Sequence, residues 1–213
     1  MNEYFKCISA YVKARGYNPK AFIDATMYGT GVVLANEGSL TNKEVFWNKF
    51  FNYYGKYDEK LIEISDEFYV TEFKKLRQFS NENPLALKAV ELARKNGKKV
   101  VLATNPVFPM TAQLERMSWS GLKESDFDLI TSYENSCFCK PNPKYFIEVC
   151  KKINVHPHNA IIIGNDERED MKCGSEAGLM GFLVTDCRIM AKDFLWTGQR
   201  GTFEQSLRIL NIL

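Results

Sequence analysis

No stretch of this 213-residue chain reaches the roughly 18 consecutive apolar residues that a membrane span needs. The first twenty residues, MNEYFKCISAYVKARGYNPK, place charges inside every short apolar run, which is not the pattern of a secretory leader. These absences predict a cytoplasmic protein with no membrane partner. Basic runs of five or more residues are also missing, and Lys plus Arg number 28 against 26 for Asp plus Glu, a formal charge of +2, so nucleic acid is not an expected partner. The six cysteines (Cys7, Cys137, Cys139, Cys150, Cys173, Cys187) never fall in Cys-x-x-Cys spacing, and in a chain of this size they read as reduced thiols that pack as small apolar side chains. Internal repeats and low-complexity linkers are lacking too.

What is present is enough apolar residue, 45% hydrophobic beside 25% charged, to bury one good core in one large or two small domains. Two textures divide the chain. Up to about Phe79 the runs YFKCISAYV, FIDATMYG, VFWNKFFNYYG and LIEISDEFYVTEFKKL space their apolar residues three and four apart, which predicts helices. Thr41 with Glu44 forms a capping box before the third run, and Gly16 and Gly55 sit where helices stop. From Asn83 the pattern alternates. A helix from Asn83-Pro84 ends at Gly97; the continuous apolar runs KVVLAT (99–104), DLIT (128–131), AIIIG (160–164) and GFLVTD (181–186) read as buried strands, and helices such as PKYFIEVCKKI and EDMKCGSEAGL separate them. A last helix, TFEQSLRILNIL, opens on a capping pattern at Thr202 and Gln205. Strands alternating with helices predict right-handed crossovers and a parallel sheet. The expected organisation is therefore a helical domain over residues 1–79 and an α/β domain over 80–213.

Ligands of open parallel sheets bind beyond the carboxyl ends of the strands. Thr104 and Asn105 follow the first strand, and their hydroxyl, amide and loop N–H groups suit a phosphate oxygen. Lys140, in CKPNPKYF, follows the second. After the third, IIIGNDEREDM puts four carboxylates within five positions, with Asp166 and Asp170 one helical turn apart. Mg²⁺ takes oxygen ligands and keeps several waters, so such a pair beside a substrate phosphate is a sufficient protein contribution. A hydroxyl, an ammonium and a carboxylate pair are parts for phosphoryl transfer. Each has a plainer reading: Asp166 with Glu169 as a capping box, Thr104 as a turn hydroxyl, Lys140 as a surface charge. Their joint placement at the ends of successive strands favours a site.

In order and spacing these residues resemble the haloacid dehalogenase (HAD) superfamily of Mg²⁺-dependent phosphohydrolases over nearly the whole chain. VVLATN is similar to its second motif, CKPNPKYF to its third and IIIGNDEREDM to its fourth, and the helical first part resembles the cap inserted after the first strand. The resemblance implies catalytic and phosphate-binding roles for Thr104 and Lys140, phosphate binding by Asn105, metal binding by Asp166 and Asp170, Mg²⁺ as cofactor and a small phosphorylated metabolite as substrate. Asn165 intervenes where the family more often places its first acid directly after the glycine.

The family's first motif, an apolar strand ending in Asp-x-Asp-x-Thr, has no counterpart here. Asp126-Phe127-Asp128 matches two letters but precedes its strand. In the family that strand lies between those assigned to 99–104 and 160–164. Adjacent strands sit about 4.8 Å apart, so without it the two neighbours would stand about 9 to 10 Å apart or pair directly. An open five-residue slot strands on the order of ten backbone groups at roughly 1 kcal/mol or more each, so a well-folded sheet with the slot empty is not expected. Three accounts of the gap are expectations at this point: a start assigned at an internal Met, a fragment, or a pseudoenzyme that binds ligand without turnover. All three predict an inactive polypeptide as given.

Other readings fit less. A receiver- or flavodoxin-like module has no place for the helical first third, and a dehalogenase has no need of the Asp166 and Asp170 pair. A zinc site from Cys137, Cys139, His156 and His158 lacks the usual spacing. The run FWNKFFNYYG reads as the helical part's own core.

Overall fold

The computed structural model describes the backbone of residues 2–212 and the side chains of residues 2–210. The first part is helical as the periodicity requires: α1 (Asn2–Ala14), α2 (Pro19–Leu34), α3 (Asn42–Tyr54) and α4 (Glu59–Thr71), followed by a 3-10 turn over Phe73–Phe79. The capping box at Thr41 is made in both directions, Glu44 N donating to Thr41 Oγ1 and Thr41 N to Glu44 Oε2. Gly55 ends α3 with φ of 89°, a conformation that costs a side-chain-bearing residue strain. Phe22, Phe50, Leu61, Phe68 and Phe73 meet in one aromatic core, so FWNKFFNYYG does contribute Trp47, Phe50 and Phe51 to the interior.

The second part alternates: α5 (Leu85–Lys95), β1 (Val101–Leu102), α6 (Met110–Ser118), β2 (Leu129–Ile130), α7 (Lys144–Lys152), β3 (Ile161–Gly164), a π-helical turn over Glu167–Lys172 running into α8 (Cys173–Glu176), β4 (Met180–Val184), β5 (Gln199–Gly201) and α9 (Phe203–Ile212). The pairing is parallel throughout, β1 with β2 and β3 with β4 with β5. This is an α/β fold with a parallel core, as expected. β5 is an addition, because QRG carries no apolar or β-branched signal and pairs only through its backbone along Phe182, Leu183 and Val184.

The strands form two sheets, β1–β2 and β3–β4–β5, and among the described residues β1 and β3 do not pair. They nevertheless lie in one layer. Val101, Ala103 and Ile162 pack against Tyr145, Phe146 and Val149 of α7 with Cys173 of α8. On the opposite face, Val100 and Ile163 pack with Ala93 of α5 and Leu207 and Leu210 of α9. β1 is shorter than the apolar run 99–104 because side chains take over at both ends: Val100 N donates to Asp128 Oδ2 at 2.7 Å, and the Ala103 carbonyl accepts from Lys140. Asn42, fully buried at the start of α3, ties the two parts together by donating to the carbonyls of Pro106 and Phe138. No helix among the described residues is long and apolar enough to cross a membrane, and all six cysteines are free.

Candidate active site

Local sequence explains how each side chain reaches the carboxyl ends of β1 and β3. At β1, the Thr104 carbonyl accepts from the Tyr145 hydroxyl at 2.7 Å, so the fully buried tyrosine of α7 fixes where the strand stops. The Thr104 hydroxyl is already engaged. It accepts from Gln113 Nε2 at 2.8 Å and donates to the Thr131 carbonyl at 3.3 Å. Asn105 and Lys140 clasp each other, Lys140 N donating to Asn105 Oδ1 and Asn105 Nδ2 to the Lys140 carbonyl.

Lys140 turns its side chain inward and is 7% exposed. Its ammonium donates to the Ala103 carbonyl at 3.2 Å and to Asp170 Oδ1 at 2.7 Å, joining the end of β1 to the acid turn after β3. The second oxygen, Asp170 Oδ2, accepts from the amides of Asn165 and Asp166, each at 3.1 Å. Gly164 makes this approach feasible: a Cβ there would lie 2.3 Å from Asp170 Oδ2. Asp166 occupies the N-cap position and accepts from the amides of Arg168 and Glu169 through Oδ1. Half of the expected capping box is therefore present. The other half is not, because Glu169 turns to Asn105 Nδ2 at 3.4 Å instead of back to the cap amide. The acid turn is π-helical, a local irregularity frequent at functional sites.

Asn105, Lys140 and Asp170 are thus linked by contact, with Asp166 adjoining through its backbone, whereas Thr104 joins them only as the chain neighbour of Asn105, its own bonds going to Gln113, Thr131 and Tyr145. Sequence reasoning missed Glu169 as a member, although it stands in the quoted run of acids. It also missed Gln113 and Tyr145, for which helix positions on α6 and α7 gave no signal. Among the described residues no three His, Cys, Asp or Glu side chains converge as a ready-made metal cluster, and Cys137, Cys139, His156 and His158 make no zinc site. Their surroundings explain this: Cys139 is buried beside Asn42, while the two imidazoles lie against each other, ring centres 4.0 Å apart and planes tilted by 43°.

The charge balance suits a divalent cation. Three carboxyl groups, those of Asp166, Glu169 and Asp170, lie around the Lys140 side chain. Burial pushes the Glu169 carboxyl above its usual range; Lys140 opposes that shift and the neighbouring Asp166 and Asp170 add to it. Mg²⁺ asks for one or two carboxylates and its own waters, so the donors present fit it without a closed protein cage.

The chain belongs to the haloacid dehalogenase-like hydrolase family, whose sequence model matches residues 8–178. Among solved structures, a HAD phosphatase from Thermococcus onnurineus superposes with TM-score 0.56 at 16% identity, covering 97% of this chain and 87% of that one. A putative beta-phosphoglucomutase from Thermotoga maritima gives 0.55 at 18% identity, with 96% and 92% covered. A predicted phosphoglycolate phosphatase from Haemophilus somnus 129pt gives 0.57 at 14%, with 96% and 91% covered. At these identities the likeness speaks for the fold. No curated protein matches the sequence.

Proposed function

We propose that this protein is a Mg²⁺-dependent phosphohydrolase acting on a small phosphorylated metabolite in the cytoplasm, with residues 1–79 serving as a cap over the α/β part at 80–213. The observation that carries the reading is the Lys140 ammonium, held between the end of β1 and the acid turn by Ala103 and Asp170. In this role Lys140 and Asn105 hold phosphoryl oxygens with the Thr104 loop, and Asp166 and Asp170 hold Mg²⁺. Bound there, the metal would offset charge that develops on the transferred group. Two of the solved structures that share the fold carry the word phosphatase in their names, which supports the same substrate class.

The 213 residues contain no Asp-x-Asp-x-Thr segment, so we read this polypeptide as lacking the nucleophile and general acid of its family and as catalytically silent by itself. The unpaired facing edges of β1 and β3, covered on both faces by the same helices, suit an apolar strand that would bring those carboxylates beside Lys140. A second reading, a ligand-binding or regulatory member of the family, is favoured by the engagement of the Thr104 hydroxyl with Gln113 and Thr131.

Calorimetric titration with inorganic phosphate, with and without Mg²⁺, tests the proposal. Phosphate should bind only with Mg²⁺ present, and Lys140→Ala and Asp166→Ala should each abolish binding. Binding that ignores both substitutions would refute the site. Hydrolysis of an aryl phosphate by this polypeptide, lost in Asp166→Ala, would show that another residue serves as nucleophile.

A further inference from the structure

The interior face of α6 carries Ala112, Gln113 and Met117, and Gln113 is 1% exposed. A buried amide gives up its hydration, whereas methionine or leucine would fill the position without that loss. Among the described residues the Gln113 side chain makes one hydrogen bond, from Nε2 to Thr104 Oγ1 at 2.8 Å. Its partner lies at the carboxyl end of β1 and is the chain neighbour of Asn105, which is clasped to Lys140.

Counting protons fixes the direction of that bond. A threonine hydroxyl has one proton to give and two lone pairs to receive. The Thr104 proton goes to the Thr131 carbonyl at 3.3 Å, and a carbonyl can only accept. Oγ1 therefore accepts from Gln113, which must turn its NH₂ and not its carbonyl toward the hydroxyl. Of the two bonds, the one from Gln113 is short and the one to Thr131 is long. An acceptor-only oxygen arriving beside β1 competes for the long bond alone, and a charged oxygen makes the stronger partner. The backbone need not follow the proton, because the Thr104 carbonyl is held by the Tyr145 hydroxyl at 2.7 Å.

We infer that Gln113 is a positioning residue of the phosphate site: by donating to Thr104 Oγ1 it compels that hydroxyl to act as a donor, matched to an unprotonated phosphoryl oxygen. The inference rests on the phosphate reading above. On this account the contact with Gln113 does not block Thr104 but aims its proton, and the bond to Thr131 is the one exchanged for ligand.

Calorimetric titration of the full chain with inorganic phosphate in the presence of Mg²⁺ tests this on the native protein, Thr104→Val, Gln113→Met and the double variant. Thr104→Val removes the hydroxyl and keeps its shape, and should weaken phosphate binding about tenfold or more, the worth of a hydrogen bond to a charged acceptor. Thr104→Ser, which keeps the hydroxyl, should bind as the native chain does. Gln113→Met should weaken binding at least about threefold, the lower end for one hydrogen bond. That loss should vanish when Thr104 is already Val, because Gln113 acts only through the hydroxyl. A merely structural role would cost the same in both backgrounds. Additive losses, a Gln113→Met protein that binds phosphate as well as or better than native, or undiminished binding by Thr104→Val would overturn the proposal. Each of these leaves phosphate binding by the native chain, and so the phosphate reading, in place. A native chain that ignores phosphate with Mg²⁺ would remove that reading and this proposal with it. Should Gln113→Met fail to fold, Thr104→Val against Thr104→Ser decides: equal affinities would mean that the hydroxyl donates nothing to the ligand, and the proposal falls.

Discussion

Lys140 and Asp170, thirty residues apart, form a buried ion pair of 2.7 Å in which each side chain is about 9% exposed, and the pair bridges two sheets that share no backbone hydrogen bond. Removing one partner strands the other. Lys140→Ala leaves Asp170 with its two backbone amides but no cation, and should lower the unfolding free energy by about 3–5 kcal/mol in urea. The double replacement Lys140→Met with Asp170→Leu should cost less than the sum of the two single changes, as contacting residues do. Additive losses would mean that the pair is not coupled as its geometry requires.

Gly164 shows the same site from the backbone side. A Cβ at this position would meet Asp170 Oδ2 at 2.3 Å and Cγ at 2.5 Å, and neither can retreat without releasing Lys140 or the amides of Asn165 and Asp166. Gly164→Ala should therefore cost about 1–3 kcal/mol by overpacking, measured by chemical denaturation. It should also weaken the Mg²⁺-dependent binding of phosphate by more than its effect on stability accounts for, because the displaced carboxylate belongs to the proposed site. A neutral Gly164→Ala would show that the acid turn has room to spare.

Much of this arrangement was legible in the residues. The helical first part was written in three- and four-residue spacing, and the capping pairs Thr41 with Glu44 and Thr202 with Gln205 are both formed. β3 and β4 match their apolar runs closely in extent, because continuous Val, Ile and Leu marks a strand covered on both faces. The expected burial is met by Phe182, Leu183 and Val184 of β4, whereas β3 is only half-buried along its length. The split of the sheet goes against the expectation that no well-folded sheet keeps an open slot, since periodicity reports which face a residue prefers and says nothing of which edge finds a partner. Side-chain economy was illegible for a related reason. Nothing in the spacing indicates that Gln113 would take the Thr104 hydroxyl, or that Glu169 would leave the cap for Asn105. Those choices follow from tertiary distances.

Glu167 supplies a pH prediction. It is 1% exposed, and its carboxylate accepts from Arg188 Nη2 at 2.9 Å and from the amides of Ala191 and Trp196, each at 3.1 Å, fastening the 188–196 loop to the acid turn. Burial works against the ionised form, yet the two amides and the guanidinium hold the carboxyl below its usual value of 4.5. A carboxyl whose folded value is depressed binds fewer protons folded than unfolded, so its stabilisation is fully present above the unfolded value and fades as pH falls through the folded one. The stability difference between native protein and Glu167→Gln should accordingly be largest at neutral pH and shrink on acidification below about pH 4.5. A difference independent of pH would assign Glu167 a packing role without charge.

The facing edges of β1 and β3 give the last prediction. Val101 and Ile162 share one covering cluster and Val100 and Ile163 the other, so a strand laid between them would be buried on both faces. Its backbone would pair with two neighbours, and its carboxyl end would emerge beside Lys140 and the acid turn. Extending the chain ahead of Met1 by an apolar strand ending in Asp-x-Asp-x-Thr plus a short loop, about 10 to 20 residues by ordinary element lengths, should have two effects. Unfolding free energy should rise by several kcal/mol through ladder hydrogen bonds and buried apolar area. Mg²⁺-dependent hydrolysis of an aryl phosphate should appear, and vanish again when the first added aspartate is changed to Asn. An extended chain that gains neither stability nor activity would show that β1 and β3 do not accept a strand. One that gains stability and stays silent would place the fault in the groups already present. The Thr104 hydroxyl, taken by Gln113 and Thr131, would then be scaffold, and Gln113→Ala, which releases it, is the substitution that separates a blocked site from an absent one.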